Sequence, residues 1–142
     1  MLRYINKIKI IHIYYGAWLI ALTGTLVSLY YSLIIKLPVC DLCWYQRILM
    51  YPLALIIPVG LVRLDKNLPY YVLPLTIAGA VIALYQSLLQ WGIIKETLQC
   101  TSTTSCALAQ VSYYGFITIP FLSLLAFCGI TLCMVLAIRK RT

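Results

Sequence analysis

The chain has 142 residues, 63% of them hydrophobic and 10% charged, with a formal net charge of +8. A water-soluble domain would carry about 25% charged residues, so the apolar excess belongs in lipid. The basic balance does not point to nucleic acid, because the cations are scattered at the ends of apolar runs and form no patch.

Arg3, Lys7 and Lys9 precede the first apolar run, at about 11–35. A bilayer core of about 30 Å takes about 20 apolar residues per helix, and this run suffices. It is too long for the apolar region of a signal peptide, and no small-x-small cleavage site follows, so it reads as an anchor that stays. A short connection, about 36–43, leads to a second run at about 44–62 that contains Pro52 and Pro58. Each proline removes a backbone hydrogen bond. Membrane helices tolerate this, and a bend that opens space for a cofactor is the weaker reading. The charged turn from Arg63 to Pro69 precedes a third run at about 70–94, and a longer loop, about 95–115, leads to the fourth at about 116–138.

No repeat, low-complexity segment or soluble domain interrupts this pattern. Backbone polar groups in lipid must be satisfied internally, so the four runs are expected to be helices. The expected fold is all-α: one transmembrane bundle of four helices over residues 1–142. Gly16, Gly24, Gly79, Ala17, Ala21, Ala78 and Ala80 suit close helix contacts. His12 reads as a boundary residue.

Charge sets the expected orientation. Arg3, Lys7, Lys9, Arg63, Lys66, Arg139, Lys140 and Arg141 lie at one set of helix ends, eight cations against three (Lys36, Arg47 and Lys95) at the other. The positive-inside rule then makes both termini cytoplasmic and puts the 36–43 and 95–115 loops outside. Those loops carry Cys40, Cys43, Cys100 and Cys106, on the side where thiol oxidation persists. Cys128 and Cys133 fall within the fourth run and read as small apolar packing residues.

The chemistry concentrates in Cys40-Asp-Leu-Cys43. Two intervening residues let the sulfurs meet at a helix start, where the helix dipole favours a thiolate. Arg47 lies one turn beyond Cys43 on the same face. Alone it reads as a cation reaching for headgroups. Beside this pair it reads as a partner for a Cys43 thiolate or a reduced anionic cofactor. Cys100 and Cys106 enclose Thr101-Ser-Thr-Thr-Ser105, a polar stretch that suits a disulfide able to open and close. A static disulfide ranks below that reading, and a four-cysteine zinc site ranks last, because no zinc-ribbon framework surrounds the cysteines. Gln46, Gln86 and Gln90, with Trp44, Tyr45 and Trp91, form an expected amide and aromatic rim suited to a quinone ring. Interfacial anchoring is sufficient for Trp44 and Trp91. Tyr113 and Tyr114 fit an aromatic belt near the second loop. A reachable disulfide plus a second pair at the lipid boundary is the equipment of a thiol oxidase. With no nucleotide motif, a quinone is the expected acceptor.

Cys40-Asp-Leu-Cys-Trp-Tyr-Gln-Arg47, continuing Ile-Leu-Met-Tyr-Pro52, resembles the signature of the DsbB family of disulfide-bond formation proteins, in particular the short Gram-positive-type members called BdbC. The four-helix topology is similar over essentially the whole chain. The second cysteine pair is spaced more narrowly than in the best-known DsbB proteins, as in the BdbC branch. The resemblance implies that Cys43 meets the quinone as a thiolate and that Arg47 stabilises it. Cys40 would exchange with the second pair through Cys106. Cys100 would take the mixed disulfide with an extracytoplasmic thioredoxin-fold thiol oxidase resembling DsbA or BdbD. A third-helix histidine found near the quinone in some members corresponds to Gln86 here. The BdbC likeness favours menaquinone over ubiquinone. Together these expectations describe a quinone-dependent thiol oxidoreductase in a bacterial cell membrane. Two other readings compete: a reductase carrying electrons outward, and a non-enzymatic adaptor or metal-binding protein stapled by outer-loop disulfides. The reductase is disfavoured because Cys128 and Cys133 pair poorly within one helix.

Overall fold

The structure, a computed structural model, describes residues 2–36, 40–95, 112–113 and 117–140. Four helices dominate it: α1 (Leu2–Leu33), α2 (Asp41–Arg63), α3 (Leu68–Gln90) and α4 (Ile119–Arg139). Each is long and apolar enough to cross a membrane. They pack in a ring, α1 on α2, α2 on α3, α3 on α4 and α4 on α1. The short α1–α2 and α2–α3 connections make those neighbours run in opposite directions, and Trp91 against Phe121 sets the start of α4 beside the end of α3. The C-terminal ends of α1 and α3 therefore meet the N-terminal ends of α2 and α4 at one end of the bundle. A two-stranded antiparallel pair, β1 (Ser112–Tyr113) and β2 (Ile117–Thr118), precedes α4 at that end.

Helix boundaries follow local chemistry more than hydropathy. α1 begins nine residues before the first apolar run, at Leu2 instead of about residue 11. Nothing before Gly16 breaks a helix, so the basic segment is helical too. α3 stops at Gln90 although the apolar run continues to Ile94. Gly92 takes a left-handed conformation, φ +71°. The Gly92 and Ile93 N–H groups then donate to the Leu89 and Leu88 carbonyls, both at 3.1 Å, closing the helix with a Schellman motif. α2 closes the same way on a less usual residue, Leu64 at φ 51°, with Leu64 N–H donating to Leu61 O at 3.2 Å and Asp65 N–H to Gly60 O at 2.9 Å. α4 starts at Ile119, after the β2 pairing, and carries Pro120 in its first turn, where a missing N–H costs nothing.

The core runs down the bundle axis through Tyr14, Ala17 and Ala21 of α1, Leu53 and Ile57 of α2, Val72 of α3, and Phe127, Ile130 and Met134 of α4. Leu26, Leu55, Val62 and Leu132 face outward. Lipid is as apolar as these side chains, so burial alone does not drive the helices together, and close packing must. Gly79 is the tightest point. A Cβ there would run into the Phe127 ring, which is fully buried. Gly79→Ala is therefore expected to destabilise the bundle by about 1–3 kcal/mol through overpacking. A lowered unfolding midpoint in detergent checks this; an unchanged midpoint means that the Phe127 ring moves aside without strain.

Pro52 and Pro58 both lie inside α2, which continues through them to Arg63. Pro58 has no N–H for the Ala54 carbonyl four residues earlier. The Trp18 indole of α1 takes that place, donating Nε1–H to Ala54 O at 3.2 Å. Trp18→Phe is expected to cost about 1–3 kcal/mol by leaving that carbonyl without a donor. Adding Pro58→Ala restores the N–H, so the double variant recovers most of the loss. Full additivity in the double-mutant cycle would show that Trp18 acts by packing alone.

Candidate redox site

α2 begins at Cys40, whose backbone is extended at φ −77° and ψ 161° and whose side chain makes no capping bond. Its carbonyl accepts the Trp44 N–H at 3.2 Å, so the backbone already serves the helix while the sulfur stays free. Cys43 sits in the first turn, where unpaired N–H groups leave partial positive charge. The two Sγ atoms lie 2.9 Å apart as free thiols. Closing them to a disulfide, with S–S at about 2.05 Å, takes a small side-chain movement. Cys40 is buried at 3% exposure and packs with Leu42 and Leu89. Its thiol is held well above the usual thiol range, chiefly by its hydrogen bond to Cys43 and then by burial. The contact lets the two sulfurs share one proton, with the bias toward keeping it on Cys40.

Gln86 of α3 meets the pair. Its Nε2 donates to Cys40 Sγ at 3.2 Å and to Cys43 Sγ at 3.1 Å. Its Oε1 accepts from Gln46 Nε2 at 2.7 Å. Both glutamines are buried, Gln86 at 1% and Gln46 at 7% exposure. They lie inside the bundle and line its cavity, apart from the aromatic residues expected to share a rim with them near the outer leaflet.

Arg47 is half-buried. Its Nη1 donates to Ser32 Oγ of α1 at 3.1 Å, and its guanidinium lies 5.7 Å from the Trp44 ring centroid. Trp44 and Tyr45 face outward at 54% and 56% exposure. Trp91 packs against Phe121 with ring centroids 5.7 Å apart. None of these three aromatics lines the central cavity. The α-helical period explains this. Cys43, Gln46, Arg47 and Met50 follow an i, i+3, i+4, i+7 stripe; Trp44 falls on its flank beside Arg47, and Tyr45 on the opposite face.

That stripe walls a cavity of about 500 Å³ between the four helices. Cys40, Cys43, Arg47, Gln86 and Gln90 stand at one end of it, and Leu19, Ile20, Val27, Leu122 and Ala126 line the rest. Gln90 Oε1 is buried with no hydrogen-bond partner among the described residues. Ser28 and Tyr51, which share a contact at 3.4 Å, also line it. Sequence reasoning does not find the α1 and α4 walls or Ser32. Isolated serines and small residues in an apolar run carry no signal that separates a cavity wall from a lipid face.

Cys100 and Cys106 lie outside the described residues, as do Tyr114 and the Thr101–Ser105 stretch; Tyr113 falls in β1. Cys128 is exposed on the outer surface of α4, and Cys133 is half-buried against the core. Among the described residues, no cluster of His, Cys, Asp or Glu could hold a metal ion.

Four membrane-length helices around a dithiol that backs onto an apolar cavity define a multi-pass membrane protein with a redox-competent cysteine pair. Residues 12–137 match the family model "Disulfide bond formation protein DsbB". The chain is 44% identical over 126 residues to "Disulfide bond formation protein C" of Bacillus subtilis, covering 86% of this chain and 89% of that one. It is 43% identical over 111 residues to "Probable disulfide formation protein C 2" of Bacillus cereus, covering 78% and 80%. It is also 42% identical over 127 residues to "Probable disulfide formation protein" of Chlamydia caviae, covering 89% and 92%. No solved structure matches. The chain belongs to the DsbB family of disulfide bond formation proteins, and that membership implies a thiol oxidoreductase role.

Proposed function

We propose that this protein reoxidises an extracytoplasmic thioredoxin-fold thiol oxidase and passes the electrons to a membrane quinone, menaquinone in preference to ubiquinone. The observation that carries the reading is the Cys40–Cys43 pair on the wall of a mostly apolar cavity that Arg47 also lines. The residues present fit a quinone. The cavity volume of about 500 Å³ lies in the range of small-molecule sites, and its lining is mostly apolar with a few convergent polar groups. The unpaired Gln90 Oε1 is an acceptor that suits the hydroxyl of a reduced ring, and Arg47 is a donor that suits a ring oxygen. When bound, a quinone supplies a lipid-soluble acceptor for two electrons and two protons.

The chain's own residues supply the rest. A reduced partner attacks a Cys100–Cys106 disulfide through a mixed disulfide at Cys100 and leaves with its own cysteines joined. The reduced loop pair then attacks Cys40 of a Cys40–Cys43 disulfide through Cys106. Cys43 leaves as the thiolate, at a helix N-terminus and among donors, and the loop disulfide reforms. The Cys40 proton stays within reach of Cys43. Arg47 holds a fixed positive charge at the boundary, where screening by water is incomplete.

The charge bias of eight cations to three supports an orientation with the termini inside and the cysteines outside. In intact cells with reduced thiols, a membrane-impermeant thiol reagent is expected to label the loop cysteines Cys100 and Cys106. Labelling only after lysis would remove both the orientation and the oxidase reading. The function itself is tested by adding menaquinone to the purified, reduced protein without oxygen. One disulfide is expected per equivalent of quinone consumed. A thiol count that stays constant would sink the reading.

A further inference from the structure

We propose that Gln46 and Gln86 form a directional amide relay that holds the reduced Cys40–Cys43 pair, with Gln86 donating to the sulfurs and Gln46 acting through it as a positioning residue. A carboxamide has a donor end and an acceptor end of nearly equal shape, so an isolated Gln86 would present either one to the sulfurs. Gln46 couples that choice to its own orientation. Its Nε2 donates to Gln86 Oε1 at 2.7 Å, which fixes the carbonyl on Gln46 and turns the NH₂ group toward Cys40 Sγ and Cys43 Sγ, at 3.2 and 3.1 Å. The contact spans α2 and α3, and both side chains are buried, so water does not compete for the donors. Neither amide titrates, so the polarity of the relay does not change with pH. This inference stands on the dithiol alone and needs no quinone.

Its consequence is a redox bias. Reducing the Cys40–Cys43 disulfide breaks one S–S bond and takes up two electrons. With one sulfur left as a thiolate, it also takes up one proton, which stays on the other sulfur. A donor pair aimed at sulfur is worth more to the anionic reduced form than to the neutral disulfide. The relay therefore stabilises the reduced pair and makes the disulfide a stronger oxidant. A disulfide that must draw electrons from a second dithiol needs that bias.

The test uses the full chain in detergent with Cys100, Cys106, Cys128 and Cys133 replaced by Ala, so that only Cys40 and Cys43 respond. The pair is equilibrated with glutathione or dithiothreitol buffers, and thiolate absorbance near 240 nm is followed against pH. Gln86→Met keeps the side-chain length but removes both donors. It is expected to shift the equilibrium with the reference thiol tenfold to a hundredfold toward the disulfide. At 29.6 mV per tenfold, that is about 30–60 mV toward a more reducing potential. Thiolate absorbance should also appear at higher pH. Gln46→Met leaves the Gln86 donors present but unaligned, and a smaller shift in the same direction is expected. Gln86→His, with one ring N–H, should recover part of the loss. If Gln86→Met matches the parent in potential and titration, the donors do not act on the sulfurs and the proposal is overturned. If Gln86→Met shifts and Gln46→Met does not, the relay is overturned and Gln86 acts alone. Should Gln86→Met fail to fold, Gln46→Met decides: an unchanged potential rejects the relay.

Discussion

Cys43→Ser is expected to abolish turnover altogether, a loss of several orders of magnitude in the oxidation of a reduced thioredoxin-fold partner. A hydroxyl at this position cannot form the disulfide, and Cys40 has no second sulfur within reach among the described residues. Cys40 and Cys43 both line the cavity, 2.9 Å apart; under the proposed function Cys43 is the sulfur that passes electrons to an acceptor bound there. The companion variant separates the two pairs. Cys100→Ser should lose the mixed disulfide with the partner yet leave Cys40–Cys43 oxidisable by added quinone. The readouts are partner oxidation at steady state and trapped adducts on non-reducing gels. Residual turnover in Cys43→Ser, or a partner adduct through Cys43 in Cys100→Ser, would reverse the assigned division of labour.

Arg47→Met is expected to lower quinone affinity or oxidation rate roughly tenfold to a hundredfold while the bundle still inserts and folds. The guanidinium is half-buried at the cavity's polar end, where a charge-assisted interaction of about 1.5–3 kcal/mol is at stake. About 1.4 kcal/mol corresponds to each tenfold. Folding should survive because Arg47 is not part of the buried core, and its partners are the half-buried Ser32, with Oγ at 3.1 Å, and the exposed Trp44 ring. Arg47→Lys should recover part of the loss, since lysine keeps the charge but not the planar fork. Ser32→Ala isolates the positioning contact and should cost less than either. Oxidation rates measured across quinone concentrations decide the matter. Arg47→Met at wild-type rates throughout would leave Arg47 as a headgroup anchor.

The glutamines show where sequence reasoning reaches its limit. Gln46 and Gln86 stand out because amides are costly in lipid, and that cost marks them for a function. Their expected place is an aromatic rim with Trp44, Tyr45 and Trp91. The fold instead turns both amides inward onto each other and onto the sulfurs, and leaves the tryptophans and Tyr45 outside the cavity. Within α2 the periodicity already puts Gln46 and Arg47 on the stripe of Cys43 and sets Tyr45 opposite it, with Trp44 on the flank beside Arg47. Which of these faces meets α3 depends on how the helices are rotated in the bundle. That rotation comes from contacts such as Gly79 against Phe127 and Trp18 on Ala54, which link residues 48 and 36 positions apart.

The sequence by itself determined the membrane class, the number of helices, the Cys40–Cys43 pair at a helix start, and Arg47 on the face of Cys43. Each follows from composition or from spacing within one helix, where the period of 3.6 residues fixes neighbours. Tertiary structure alone decided that Gln86 bridges the two sulfurs, that Gln46 orients it, that Ser32 meets Arg47, and that α1 and α4 complete the cavity wall. These contacts join residues on different helices. In a bilayer, apolar burial sets no preferred rotation between helices, so only the fit of small and large side chains fixes which faces meet.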